Sequence, residues 1–234
     1  QDEVLIKSII NTFIFSLGCL IVQFIIGFLL ALLFYRKFSL AKPIRGLLMI
    51  PWMIPLTVTA LMFKFMFGTD VGIINQFLHY INVIDESIPW LTQPTTAMIA
   101  VIITNIWVGI PFNMLLLSTG LSIIPESLYE SAAIDGANKY QAFWKITLPI
   151  LKPTIDSVLL LGFIYTFKVF DLVYVMTQGG PVNSTHLLST YSYKLSFTLF
   201  QYSQGASVAN ILFLLLLIVS FFYLKYIYTD DGVF

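Results

Sequence analysis

The hydrophobic pattern divides the chain into five long apolar segments separated by shorter polar ones. Each apolar segment is close to or above the roughly 20 residues that an α-helix needs to cross about 30 Å of hydrocarbon. The pattern therefore predicts five membrane-spanning helices, over Ile9–Phe34, Gly46–Phe67, Ala97–Leu117, Thr154–Tyr174 and Ala206–Tyr226. An odd number of spans places the two ends of the chain on opposite sides of the membrane.

The composition agrees with an integral membrane protein. Of the 234 residues, 58% are hydrophobic and 10% are charged, and the mean hydropathy is +0.89; a soluble domain could not bury so much apolar surface. A formal net charge of zero argues against a nucleic-acid partner. Cys19 is the single cysteine, so no disulfide framework is predicted. His79 and His186 stand apart from other metal-ligating residues and are interpreted as ordinary loop residues, so neither a metal nor a cofactor is predicted.

The basic residues predict the orientation in the membrane. They concentrate in the first and third connections, whereas residues 68–94 contain no Lys or Arg and residues 175–205 contain one. Because basic connections remain in the cytoplasm, the first and third connections and the C-terminus are predicted to be cytoplasmic. The residues that carry this prediction are Arg36, Lys37, Lys42, Arg45, Lys139, Lys145, Lys152 and Lys225.

The third connection, residues 124–153, has mixed charges and predicts two short helices. Pro125 suits the first position of one helix, and Gly136 suits the left-handed turn that ends it. Asn138 can cap the second helix, and Pro149 is expected to stop it. Two amphipathic helices of this kind could lie on a lipid surface. The small side chains around Gly136 and the scarcity of basic residues favour the close approach of another protein.

The same connection resembles a known family motif. Glu130-Ser131-Ala132-Ala133-Ile134-Asp135-Gly136, followed by Ile146-Thr147-Leu148-Pro149, is similar to the Glu-Ala-Ala loop in membrane subunits of binding-protein-dependent ABC importers, with Ser131 in place of an alanine. In that family the loop forms a cytoplasmic coupling helix that docks in a cleft of the ATPase. The resemblance implies that ATPase coupling is carried by Glu130, Ala132, Ala133, Asp135 and Gly136.

The resemblance also implies a fold and a set of partners. The fold is an all-α, MetI-like permease bundle forming a single transmembrane domain over residues 1–234. Five of six family helices are then present, and the sequence, which starts at Gln1 without a Met, is expected to be truncated at its N-terminus. The implied partners are a second permease subunit in a heterodimer, two ATP-binding subunits, an extracytoplasmic solute-binding protein and the lipid of a prokaryotic cell membrane.

Neutral hydrogen-bonding groups and aromatic rings lie near the middle of the predicted spans. Sugar hydroxyls pair with amides and hydroxyls, and sugar C–H faces stack on rings, although each such residue can equally serve helix packing. Three motifs, Pro51–Pro55, Asn105–Pro111 and Phe170-Asp171 leading to Gly179-Gly180-Pro181, resemble the MalF-like carbohydrate branch of the family. That resemblance implies a substrate site lined by Trp52, Leu56, Asn105, Val108, Gly109, Phe112, Gly162, Thr166 and Val169.

These observations predict a sugar-importing permease subunit that is not itself an enzyme. The sequence contains no Gly-Lys-Ser/Thr phosphate loop, so a separate chain would hydrolyse ATP. Gly162, Thr166 and Val169 stand where a maltose permease has polar side chains, so the sugar need not be maltose. The alternatives are an ABC permease for a non-sugar solute and an ion-coupled secondary transporter, which the lack of charge in the middle of the spans disfavours.

Overall fold

The computed structural model describes residues 2–35 and 39–230, with the side chains of residues 224 and 226–230 left undescribed. Over these residues the regular structure is helical and contains no strand. Two π-helical turns, Phe143–Thr147 and Lys194–Thr198, interrupt the α-helices. The α-helices are α1 (Glu3–Tyr35), α2 (Ala41–Leu48), α3 (Ile50–Met53), α4 (Leu56–Met66), α5 (Ile73–Tyr80), α6 (Pro94–Ile123), α7 (Glu126–Ile134), α8 (Lys139–Ala142), α9 (Leu148–Phe167), α10 (Asp171–Thr177), α11 (Leu188–Tyr193) and α12 (Tyr202–Asp230).

Long apolar helices account for four of the five predicted spans. In the described part of the chain they are Glu3–Tyr35, Pro94–Ile123, Lys139–Phe167 and Tyr202–Tyr223. The remaining predicted span, Gly46–Phe67, is not straight, because Ala41–Met53 and Leu56–Met66 meet at an angle of 93°. The fold is therefore the predicted all-α membrane bundle, with one span broken. Arg36 and Lys37, on which part of the orientation prediction rests, lie outside the described residues.

Proline explains the break in the second span. Proline disfavours helical backbone at the residue before it and has no N–H to donate. Pro55 has φ −54° and ψ 134°, so it stands in extended conformation at the start of α4. Pro111 in α6 has a different effect, because it lies inside a continuous 30-residue helix.

The fourth predicted span, Thr154–Tyr174, has different limits in the structure. It was expected to continue to Tyr174, but α9 ends at Phe167 and α10 is a separate helix beginning at Asp171. The prediction that Pro149 stops the preceding helix is also wrong, since the helical chain runs from Lys139 to Phe167. A π turn ends at Thr147, two residues before Pro149, with the Leu148 N–H donating to the Phe143 carbonyl. Pro149 thus occupies the first turn of α9, where a missing N–H is tolerated.

The chain folds into two compact units, each made of several sequence segments. The first contains Gln1–Cys19, Ile54–Asn105 and Phe163–Phe234, and the second contains Leu20–Met53 and Ile106–Gly162. The sequence predicted a single transmembrane domain. Three of the boundaries between the two units fall inside the long helices α1, α6 and α9.

In the first unit the segment before α11 is held tightly on α1. The Asn11 amide donates to the His186 carbonyl at 3.1 Å, and Thr12 Oγ1 accepts the Leu188 N–H at 2.9 Å. The imidazole of His186 is buried and lies within hydrogen-bond distance of Thr190 Oγ1, at 3.2 Å, and of Lys194 Nζ, at 3.5 Å. His186 is therefore a packed structural residue and not an ordinary loop residue. Burial, reinforced by the nearby Lys194 ammonium, lowers the pKa of His186 to about 4.

This environment predicts a pH-dependent stability of the first unit. An imidazole in an unfolded chain has a pKa of about 6.5, so between pH 6.5 and pH 4 the unfolded state binds a proton that the folded state does not. The stabilisation is complete above pH 6.5 and decreases as the pH falls towards 4. We expect the thermal midpoint in detergent to fall over this range, and His186→Asn to flatten that part of the profile. An equally steep profile in the variant would assign the pH dependence to other groups.

In the second unit, α1 and α6 meet through two reciprocal pairs of a glycine and an amide side chain. The carboxamide of Gln23 covers Gly109, where an added Cβ would lie 2.3 Å from Gln23 Cδ. Four residues further along each helix the roles are exchanged, so that α1 provides the glycine, Gly27, and α6 provides the amide, Asn113. A Cβ added to Gly27 would lie 2.6 Å from Asn113 Cβ. Small residues at such contacts let helix backbones approach closely. We call these four residues the glycine–amide contact.

The second unit also contains a cluster of buried apolar side chains. Its buried members come from α1, α6 and α9 together with the residue after α6, and the half-buried side chains of Tyr129 and Ile146 pack against it. Because the cluster joins three long helices, it forms the surface on which Tyr129 of α7 and Ile146 of the π turn pack. The buried members are Ala31, Leu117, Leu121, Ile124, Leu151 and Val158.

Candidate functional site

The predicted coupling segment forms an exposed elbow between α7 and α8. Gly136 has φ +81°, the left-handed conformation that glycine adopts without steric cost. The Ala137 N–H donates to the Ala132 carbonyl at 2.8 Å, and the Gly136 N–H donates to the Ala133 carbonyl at 3.1 Å. This pair of bonds is the Schellman arrangement that satisfies the carbonyls at a helix end. The predicted end of the first helix at Gly136 is therefore confirmed.

The start of α8 is fixed by a reciprocal cap. Asn138 Oδ1 accepts the Gln141 N–H at 2.9 Å, and Gln141 Oε1 accepts the Asn138 N–H at 2.9 Å. The cap predicted at Asn138 is thus confirmed, and Gln141 closes it as a capping box. Pro125 differs by one position from the prediction, since it precedes the first residue of α7, with ψ 134°. Hydrogen bonds therefore define the end of α7 and the start of α8 on either side of the turn.

A depression of about 410 Å³ lies in the concave side of the elbow. Its lining consists of small and aliphatic residues together with one carboxylate, one amide and one ammonium group. The elbow thus offers an apolar depression with polar groups of both charges in its lining, which suits a protruding side chain of another protein. The residues that line it are Ala132, Asp135, Gly136, Ala137, Gln141, Ala142, Lys145 and Ile146.

The structure brings together three of the five residues predicted for ATPase coupling. Ala132, Asp135 and Gly136 line the depression, whereas Glu130 and Ala133 are exposed on α7 outside its lining. Sequence reasoning missed the contribution of the second helix. The signal was available, because Gln141 and Lys145, like Ala142 and Ile146, are four residues apart and share a helix face.

The residues predicted to line a substrate site fall in both units. In the second unit the rings of Trp52 and Phe112 stack, with centroids 5.9 Å apart and planes inclined by 27°, and 49% of the Trp52 side chain is exposed. Gly109 lies beneath the Gln23 carboxamide, and a Cβ on Gly162 would come within 2.9 Å of Leu20. Of this group, Trp52 is the aromatic surface most open to a ligand, while Val108 is buried.

The members of the predicted site in the first unit are mostly buried. Asn105, Thr166 and Val169 are each less than 10% exposed, and Leu56 is half-buried at the start of α4. Ser189 Oγ donates to the Val169 carbonyl at 2.5 Å, which holds the end of the α9 segment against α11. These contacts assign packing to Val169, and the role of the nine residues in binding a substrate remains a prediction. Among the described residues, no group of three His, Cys, Asp or Glu side chains is arranged to hold a metal ion.

Comparison with known proteins identifies similar membrane subunits. A family model described as "Binding-protein-dependent transport system inner membrane component" matches residues 23–230. The chain is 36% identical over 231 residues to the sulfoquinovosyl glycerol transport system permease protein of Agrobacterium fabrum, covering 99% of this chain and 74% of that protein. It is 34% identical over 211 residues to the trehalose/maltose transport system permease protein MalF of Thermococcus litoralis, covering 90% of this chain and 70% of that protein.

Solved structures show the same fold. A chain from a bacterial ABC transporter involved in the import of the acidic polysaccharide alginate matches with a TM-score of 0.86 and 26% identity, over 96% of this chain and 79% of that one. A chain from a methionine ABC transporter in inward-facing conformations matches with a TM-score of 0.70 and 16% identity, over 98% of this chain and 99% of that one. At 16% identity the match to the methionine transporter chain shows similarity of fold alone. Both structural matches agree with the predicted MetI-like bundle.

Proposed function

Given that the chain belongs to the inner membrane components of binding-protein-dependent transport systems, we propose that it is the permease subunit of an ATP-driven importer for a sugar or oligosaccharide. The observation that carries the proposal is the exposed elbow with its small-residue depression, which offers a docking surface to a motor subunit. Two relatives at 34% to 36% identity are named for sugar or sugar-derivative transport, which supports a saccharide as the solute.

The complete importer would contain several further chains. A second permease subunit would pair with this one as a heterodimer, two ATP-binding subunits would bind on the cytoplasmic side, and an extracytoplasmic binding protein would deliver the solute. Hydrolysis of ATP belongs to the separate subunits in this scheme, and this chain is the transport subunit. Binding of ATP and of the loaded binding protein would each favour one of two permease conformations, so that access to the solute alternates between the two sides.

In this scheme the elbow transmits the movement of the ATP-binding subunits. Ala132 and Gly136 leave room for a side chain of the motor, and Asp135 and Lys145 in the lining would pair with its charged groups. Glu130, exposed on α7, would provide a further charged contact at the margin. The smooth lining suits a contact that transmits force, because closely packed surfaces move together.

The stacked Trp52 and Phe112 are the proposed sugar platform. A sugar ring presents C–H groups that pack on an aromatic face, and the half-exposed indole of Trp52 provides such a face supported from behind by Phe112. The sequence resemblance separately predicts that Asn105 and Thr166 provide hydrogen bonds to a sugar.

Uptake by the reconstituted complex tests the function. The chain, its second permease, the ATP-binding subunits and the binding protein are placed in liposomes and offered maltose, trehalose, sulfoquinovosyl glycerol and alginate oligosaccharides. We expect uptake of at least one of these solutes that needs ATP and survives an ionophore that collapses ion gradients. Uptake that continues without ATP and stops with the ionophore would establish an ion-coupled transporter instead.

Replacing Trp52 tests the platform in the same assay. We expect Trp52→Leu to reduce uptake about 10-fold, because loss of the ring removes on the order of 1 kcal/mol or more of stacking. Trp52→Phe keeps an aromatic face and is expected to retain most of the uptake. A wild-type rate of uptake in Trp52→Leu would remove the indole from the solute path, whichever solute is carried.

A further inference from the structure

A hydrogen bond between two side-chain hydroxyl groups links α7 to the base of the membrane-spanning helix α9. The hydroxyl groups of Tyr129 in α7 and Thr147 at the end of the π turn are 2.9 Å apart, within hydrogen-bond distance. Thr147 is 6% exposed and immediately precedes α9, so the contact lies at the base of that span. Both residues belong to the second unit.

The attachment of α7 depends strongly on Tyr129. None of the nine residues of α7 is buried, and Tyr129 and Ala132 are the two that are half-buried. The Tyr129 ring packs on the apolar cluster formed by α1, α6 and α9. Tyr129 therefore provides both the main apolar contact of α7 and its hydrogen bond to Thr147.

The covalent connection between α7 and α8 leaves a rotation that this hydrogen bond can restrain. The turn passes through Gly136, around which an added Cβ would find no atom within 4 Å. Apolar packing of one ring resists separation but has little directionality, whereas a hydrogen bond weakens steeply away from its preferred angle. The Tyr129–Thr147 bond therefore adds a directional restraint on the rotation of α7 about its own axis relative to α9.

We propose that the Tyr129–Thr147 hydrogen bond is the strut that makes α7 and α9 move as one body when the motor subunits close. The proposal rests on the coupling role of the elbow proposed above. In this arrangement Tyr129 and Thr147 are positioning residues that act through the elbow, and they touch neither solute nor nucleotide. Without the bond, α7 turns in place and part of the movement of the motor does not reach the span.

Removal of either hydroxyl provides the test, in the complete reconstituted importer with the fastest solute of the four-saccharide panel. Tyr129→Phe keeps the ring on the apolar cluster, and Thr147→Val keeps the shape of the side chain. For each we expect wild-type amounts of bound ATP-binding subunits, continued ATP hydrolysis, and a roughly 3- to 10-fold fall in solute moved per ATP, the loss expected for one hydrogen bond worth about 1 kcal/mol.

Three further variants separate transmission from folding. Thr147→Ser restores a hydroxyl and is expected to recover most of the solute moved per ATP. Tyr140→Phe makes the same chemical change on an exposed tyrosine of α8 and is expected to change nothing. The double variant of Tyr129→Phe and Thr147→Val is expected to be no worse than either single one, because the same contact is lost.

The remaining outcomes overturn the strut or the function on which it rests. An unchanged ratio in both single variants, additive losses in the double variant, or loss of the bound ATP-binding subunits would each overturn it. If the wild-type complex moves none of the four saccharides with ATP, the proposed function fails and the strut fails with it. Wild-type uptake together with an unaltered ratio in Tyr129→Phe rejects the strut alone.

Discussion

Gly136→Asp is expected to leave the amount of chain in the membrane unchanged and to lower the amount of co-purifying ATP-binding subunit by about 10-fold or more, equivalent to 1.4 kcal/mol. Two effects act in the same direction. A non-glycine residue in the left-handed conformation costs about 1–2 kcal/mol, which loosens the turn at φ +81°. The new carboxylate would also stand beside Asp135 in the lining of the depression, where docking would strip it of water without a matching cation.

The membrane-spanning part of the chain should tolerate this change. Gly136 is exposed, and the space around it contains no atom within 4 Å of an added Cβ. The variant is therefore expected to insert and to run as a single species in detergent. The measurement is the ratio of ATP-binding subunit to permease after purification through a tag on the permease.

Gly136→Asn is the matched control for the charge. Asparagine is the non-glycine residue that accepts the left-handed conformation most readily, and its side chain has nearly the shape of aspartate without the charge. We expect this variant to retain most of the ATP-binding subunit. If Gly136→Asp retains as much ATP-binding subunit as the wild type, the elbow is not the docking surface. If both variants lose the ATP-binding subunit equally, the loss is due to the volume of the added side chain and not to its charge.

Gly27→Val is expected to have the largest effect on folding, with little or no monodisperse protein recovered. A Cβ on Gly27 would lie 2.6 Å from Asn113 Cβ and 3.1 Å from the Met114 backbone nitrogen, so α1 and α6 would have to separate. Overpacking of a core costs typically about 1–3 kcal/mol, and a clash with backbone has no side chain that can move aside. Separation would also break the contact of Gln23 with Gly109, because both pairs lie on the same helix faces.

Gly46→Val makes the same change where there is space. Gly46 lies in α2, also in the second unit, and an added Cβ there meets no atom within 4 Å. We expect a yield and a thermal midpoint close to those of the wild type. The measurement is size-exclusion chromatography in detergent with a thermal ramp. Normal yield of Gly27→Val would mean that the glycine–amide contact does not hold α1 and α6 together.

The sequence predicted the features that arise from composition and local backbone chemistry. Long apolar runs identified the membrane-spanning helices, since hydrocarbon thickness dictates their length. The turn at Gly136 and the cap at Asn138 were predictable because each depends on residues within one helical turn. The five residues predicted for ATPase coupling, in α7 and the turn after it, came from the resemblance, and three of them line the depression.

Features that depend on distant residues or on the whole helical register were not predictable. Pro149 suggested a helix end, but the π turn before it moves the proline to a tolerated position. His186 stood apart along the sequence, yet Asn11 and Lys194 enclose its segment after folding. Gly109 was assigned to a substrate site by its motif, and only the packed structure shows that Gln23 covers it.

The absence of any buried residue in α7 has an evolutionary consequence. Side chains that contribute little to folding can mutate without selection against misfolded protein. The exposed side chains of this helix can therefore diverge between related importers in one cell until each permease binds its own ATP-binding subunits. The membrane-spanning helices need not change for this to happen. Exchange of subunits between transport systems is then limited by the fit of the elbow surface and not by the stability of the whole chain.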